Sequence, residues 1–121
     1  MASGDRTEKR LIGPVQLTAT EIALGSSISG TYTWIVKQVV LCNTTGIDRL
    51  VYLGVGTDSA TGGAAGRVLN ALPVAAYDTV VWDTALVLVG SATAGSADRL
   101  WGYCDSASSV TITVMGWQKE N

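Results

Sequence analysis

Reactive side chains are scarce in this chain and poorly placed for one another. Its 121 residues include no histidine and two cysteines, so a hydrolytic site would have to be built from Cys, Lys or paired carboxylates. Asp78 and Asp83 flank one apolar run, and Asp98 and Asp105 flank another. A glycosidase-type pair needs its carboxylates roughly 5–9.5 Å apart, whereas acids bounding a strand usually accept backbone N–H bonds in the adjoining turn. The turn reading is the expectation, and no catalytic residue is assigned. Gly62-Gly63-Ala64-Ala65-Gly66-Arg67 lacks the Gly-Lys-Ser/Thr ending of a phosphate loop. Asp58 and Asp105 lack the Asp-x-Asp-x-Asp-Gly spacing that would mark a calcium loop. No metal and no other cofactor is expected.

Cys42 and Cys104 lie in apolar, strand-like surroundings, where cysteine behaves as a small buried hydrophobe. Both are expected to be reduced structural thiols, in keeping with a bacterial-type cytosol. Four tryptophans and four tyrosines accompany no phenylalanine. Sugar-binding modules use exposed aromatics of this kind, but Trp34, Trp82 and Trp101 fall inside strand-like runs. Burial in a core or a subunit interface is the favoured reading for them. Trp117, beside Gly116, is the best candidate for an interface anchor.

The elements that carry these residues are strands and turns. The length suits one domain. Charged residues make up 15% of the chain and apolar ones 47%, a surface short of charge that suits coverage by partner subunits. The net charge is −2, and no stretch gathers enough Lys or Arg to neutralise a run of phosphates, so nucleic acid is not expected as a partner. No apolar run reaches the roughly 20 residues of a membrane span, and the first ten residues lack the apolar segment of a secretory signal.

Asp5, Arg6, Glu8, Lys9 and Arg10 make the first ten residues a polar arm, expected to pack on a neighbouring subunit or particle surface. Residues 11–118 form the expected domain and 119–121 a polar tail. Leu11 to Leu17 reads as an edge strand because Pro14 cannot donate to a ladder, and a short strand follows near Ile22. Tyr32 to Cys42 is the clearest strand, with Trp34, Val36, Val40 and Cys42 on one face and Ile35, Val39 and Leu41 on the other. With both faces apolar, it reads as a central strand covered on both sides.

Asn43-Thr44-Thr45-Gly46 reads as a turn joining it in a hairpin to Leu50–Val55, with Tyr52 opposite in sense to Val51 and Leu53. Residues 56–67 form a Gly/Ala-rich loop. Residues 68–74 are a strand or a helical turn, and residues 78–89 a strand pair or one long strand with a bulge. Arg99–Cys104 and Ser109–Trp117 complete the set, the latter alternating Val110, Ile112 and Val114 against Thr111 and Thr113. The fold class is all-β: an antiparallel β-sandwich or jelly-roll-like barrel of seven to eight short strands. Tyr103 lies one residue before Cys104 rather than two, which argues against an immunoglobulin domain.

The segments Arg10–Thr18, Val36–Gly46 and Ala107–Val114 resemble small β-rich virion proteins of tailed bacteriophages. The resemblance implies a non-enzymatic structural protein made in the host cytoplasm and carried on the virion. Its leading form is a capsid decoration or cement protein on the major capsid protein lattice, commonly a trimer or other ring. The alternative is a tail or baseplate protein with a receptor- or glycan-binding role. Arg6, Lys9, Arg10, Leu11, Trp34, Trp101 and Trp117 are the interface candidates.

Overall fold

A computed structural model describes residues 6–58, 64–93 and 95–121. The strands are β1 (Arg6–Gln16), β2 (Ile22–Leu24), β3 (Tyr32–Asn43), β4 (Arg49–Gly56), β5 (Arg67–Val74), β6 (Thr79–Val89), β7 (Arg99–Cys104) and β8 (Val110–Glu120). They form two four-stranded antiparallel sheets, one in the order β1-β8-β3-β6 and the other in the order β2-β7-β4-β5. Strand β1 pairs with β8, β2 with β7, β3 with β6 and β4 with β5. The order is that of one long hairpin folded over into two sheets, a jelly roll.

Alternation builds the core. Val39, Leu41, Ile112 and Val114 of the first sheet and Val51, Leu53, Leu100 and Cys104 of the second are essentially inaccessible to water, every second residue along their strands. Strand β8 keeps the expected alternation, and Tyr52 points away from the Val51 and Leu53 side of β4. Residues 67–74 are a strand, and residues 79–89 are one long strand, rather than a pair, whose register with β3 slips at Thr84 and Ala85. Strand β1 is an edge of its sheet, as Pro14 suggested.

The structure departs from three expectations. First, β3 and β4 do not form a hairpin, because they belong to opposite sheets. Asn43 is buried, and its Nδ2 donates to the carbonyls of Ile47 (2.8 Å) and Val74 (3.0 Å). Its Oδ1 accepts from the Thr45 N–H at 3.0 Å. The turn therefore swings the chain across the sandwich.

Second, the faces of β3 exchange halfway along. Val36 and then Val39, Leu41 and Asn43 face the core, while Lys37 and Gln38 both turn outward at a register slip. Ile35, Val40 and Cys42 share the outer face, and Trp34 sides with Val36 and Val39. Third, the boundaries at residues 10 and 118 fall inside strands. Arg6 to Arg10 pair with Lys119 to Met115, so this part of the polar arm belongs to the sheet. Residues 1–5 of the arm, and residues 59–63 of the Gly/Ala-rich loop, lie outside the described residues.

Candidate functional site

The slip in β3 is one step of a line of slips that crosses the first sheet. Two rungs define it, one through Ile12, Val114, Val39 and Trp82, the other through Lys9, Gly116, Val36 and Leu86. Between them β8 has Met115 alone, β1 has Arg10 and Leu11, β3 has Lys37 and Gln38, and β6 has Asp83, Thr84 and Ala85. The sheet fans out on both sides of β8, and extra residues of this kind bend a sheet and re-aim its side chains. Gly116 permits the fan. A Cβ there would lie 2.1 Å from the Ile35 carbonyl oxygen and 3.0 Å from the Lys37 nitrogen.

The fan opens a groove of about 580 Å³ on the outer face, lined by Glu8, Lys9, Arg10, Lys37, Gln38, Met115, Gly116 and Trp117. Trp117 forms its flat wall. Its Nε1 donates to Glu8 Oε1 at 3.2 Å, and both the Arg6 guanidinium (5.1 Å from the ring centroid) and the Lys37 ammonium (5.7 Å) lie over the indole. Such cation–π contacts are worth about 0.5–1 kcal/mol each at exposed sites. Lys119 lies opposite Arg6 in the ladder. Arg6, Arg10, Lys37 and Lys119 thus share one corner of a chain whose lysines and arginines number eight in all, while Lys9 lines the groove but turns its ammonium toward Gln118 Oε1, at 3.5 Å, on the other face. The lining offers cations, an aromatic wall and one carboxylate, Glu8, which suits anionic groups on a partner surface.

Four of the sequence candidates, Arg6, Lys9, Arg10 and Trp117, meet here. Leu11 lies beside the groove but points into the core. Trp34 packs against the core and donates from Nε1 to Gln118 Oε1 at 3.1 Å. Trp101 belongs to the other sheet and donates to the Gly56 carbonyl at 3.1 Å. Lys37, Gln38 and Met115 were missed, since nothing local in the sequence marks them; only Gly116 inside a strand pattern hints at a slip nearby.

The outer face of the second sheet is finished differently. Tyr52 and Tyr103 face each other across the β4–β7 ladder with rings stacked at 4.5 Å and 6°. The Arg67 guanidinium lies 5.4 and 5.5 Å from their centroids and ends on Glu21 Oε1 at 2.8 Å. Both charged side chains are largely buried, at 14% and 22% exposure. Arg67 is a strap across the tyrosines, tied down at its far end. Among the described residues the first sheet has no such cover: Val81, Val87 and Val89 stay 50–55% exposed on its outer face.

Three of the acids weighed for chemistry are engaged in turns and ladders. Asp78 accepts from the Thr79 N–H, Asp98 from the Val89 N–H and Asp83 from Gln38 Nε2. Cys42 and Cys104 are free thiols. Burial pushes the Cys104 thiol above its ordinary value of 9.0. Among the described residues no group of three or more Cys, Asp or Glu is placed to hold a metal ion, and no helix is long and apolar enough to cross a membrane. No protein-family model matches the chain, and no curated protein matches it.

Proposed function

We propose that this chain is a non-enzymatic virion structural protein of a tailed bacteriophage, a capsid decoration protein that docks on the major capsid protein lattice and stabilises the head. The observation that carries this reading is the contrast between the outer faces: the second sheet covers its own aromatics with Arg67, while the first leaves valines and a cation-lined groove unfinished. A monomer gains nothing from that exposure, whereas a docking or self-associating subunit does. The acidic chain concentrates its cations at the groove, so the complementary surface on the shell is an acidic one. Self-association would use the side of the first sheet where these valines lie.

The mechanism is mass action. Binding the assembled shell and not its precursor stabilises the assembled state by RT ln(1 + [L]/Kd) at each site. Many such modest contacts, repeated over a lattice, resist internal pressure together. The jelly-roll order is one used by viral capsid domains and equally by lectins and cupins, so the fold by itself does not choose among them.

A second reading has its own observation. Tyr52, Tyr103 and Trp101 share the outer face of the second sheet, and a tail or baseplate protein that binds glycans would use such a platform.

Imaging particles made with and without the gene separates the two. Many copies at symmetry positions on the shell, and heads that resist heat less well without them, support decoration. A few copies at the tail, or equal heat resistance, overturn it. Within the decoration reading, Arg10→Glu and Lys37→Glu abolish incorporation while the isolated chain still folds.

A further inference from the structure

The two sheets have four edges, and three of them are blunted. Strand β1 carries Arg6, Glu8, Lys9 and Arg10 and breaks register around Gly13-Pro14. Strand β2 is three residues long. Strand β5 breaks register at Asn70 and Ala71, the latter at φ 53°, and carries Pro73. Charges, proline, bulges and shortness are the devices by which proteins keep edges from pairing. The fourth edge, β6, is eleven residues long and carries one charge, Asp83; its ladder to β3 slips between Asp83 and Leu86, yet its inward–outward alternation runs unbroken from end to end.

Which groups that edge presents follows from its two ends. The Asn43 N–H donates to the Asp78 carbonyl at 2.9 Å and the Gly90 N–H to the Tyr32 carbonyl at 3.1 Å. On both sides of the slip, even-numbered residues of β6 therefore bond to β3, and odd-numbered ones turn their N–H and C=O groups outward. Both ends of this outward row are stapled by the chain itself. Asp78 Oδ1 accepts from the Thr79 N–H at 2.8 Å. Asp98 closes the other end, accepting from the Val89 N–H on Oδ2 at 3.0 Å and donating its own N–H to the Val89 carbonyl at 2.9 Å. The middle, at Val81, Asp83, Ala85 and Val87, is left for another strand.

We propose that this open stretch pairs antiparallel with the same stretch of a second copy, about a two-fold axis at Thr84, joining the two sheets edge to edge. The register follows from the alternation. An axis at Thr84 sets Val81 opposite Val87 of the second copy and Asp83 opposite Ala85, so outward-facing groups meet in hydrogen-bonded pairs. Valine meets valine on the outer face, Trp82 meets Leu86 on the inner face, and neither Asp83 stands opposite its symmetry mate. A self-complementary patch of this kind is what a closed two-fold dimer requires. The stretch spans about 23 Å at roughly 3.3 Å per residue. A single strand edge of that length falls well short of the roughly 1,200 Å² of a standard interface, so the pair is weak and forms in a concentration-dependent way.

This inference deepens the self-association part of the proposed function and does not depend on the chain belonging to a capsid. Its test needs the isolated protein only. In a concentration series by sedimentation equilibrium, the natural chain passes from monomer to dimer. Val81→Lys with Val87→Lys sets like charges opposite each other and weakens the dimer by roughly tenfold or more. Val81→Lys with Val87→Glu sets opposite charges there and retains it. A chain that stays monomeric throughout, one that closes into trimers, or a double-lysine variant that pairs as well as the natural chain overturns the proposal. Absence of the protein from virions would overturn decoration and leave the dimer standing.

Discussion

The outer face of the second sheet and the outer face of the first are built from the same kinds of residue, aromatics beside cations, yet they end in opposite states. On the second, Gly54 lies between Arg67 and Trp101 on one rung and places no side chain in the way. Arg67 reaches across the tyrosines to Glu21, and the face is closed by its own chain. On the first, the fan around Met115 spreads the cations around Trp117 instead of laying one across it. Its valines remain in water. A cation seals a sheet face when a carboxylate waits at the far end of its reach, and advertises the face when none does.

Substitutions can break or sharpen this contrast. The largest effect is expected at Gly116, where an added methyl group meets backbone atoms of Ile35 and Lys37 that cannot move aside. Gly116→Ala should lower stability in urea unfolding by about 3 kcal/mol and close the groove. Arg67→Ala comes next. It leaves Glu21 without its partner and uncovers two tyrosines, at a cost of about 2 kcal/mol, whereas Lys37→Ala on the other face changes stability by less than about 0.5 kcal/mol. Equal losses at Arg67 and Lys37 would erase the distinction between the faces. A double-mutant cycle of Tyr52→Ala and Tyr103→Ala should return a coupling of about 1 kcal/mol from the stacked pair.

The smallest effects belong to the thiols. Cys104 is in the core, and Cys42 is on the outer face of the first sheet. In the native monomer a thiol reagent should label Cys42 first and reach Cys104 only through unfolding. The Cys104 thiol holds its proton in the fold beyond the pH at which the unfolded chain releases it. Its contribution to stability is therefore constant below the ordinary value of 9.0 and declines as pH rises above it. Melting temperatures measured from pH 7 upward should fall less steeply in Cys104→Val than in the natural chain.

Much of the fold was legible in the sequence because its signals are local. Val110, Ile112 and Val114 alternate without interruption, and Pro14 marks an edge. The β3–β4 connection was not legible, since Asn43-Thr44-Thr45-Gly46 has the composition of a hairpin turn. What redirects it is a bond from Asn43 to the carbonyl of Val74, 31 residues away. The slip at Lys37 was equally hidden, because two polar residues inside an apolar strand look like an ordinary interruption. The groove is visible only once β1, β8 and β3 lie side by side and bring Arg6, Lys9, Arg10, Lys37 and Trp117 together. Nothing near Arg67 in the sequence announces that it would cross to Glu21.

In the proposed function the first sheet is the face that meets partners. Hydroxyl-radical footprinting of the chain, dilute and then associated or docked, reads that directly at the side chains. Protection at Val81, Val87, Met115 and Trp117, with Tyr52, Trp101 and Tyr103 unchanged, is the predicted result. Protection of Tyr52, Trp101 and Tyr103, with the β6 valines still reactive, would contradict it.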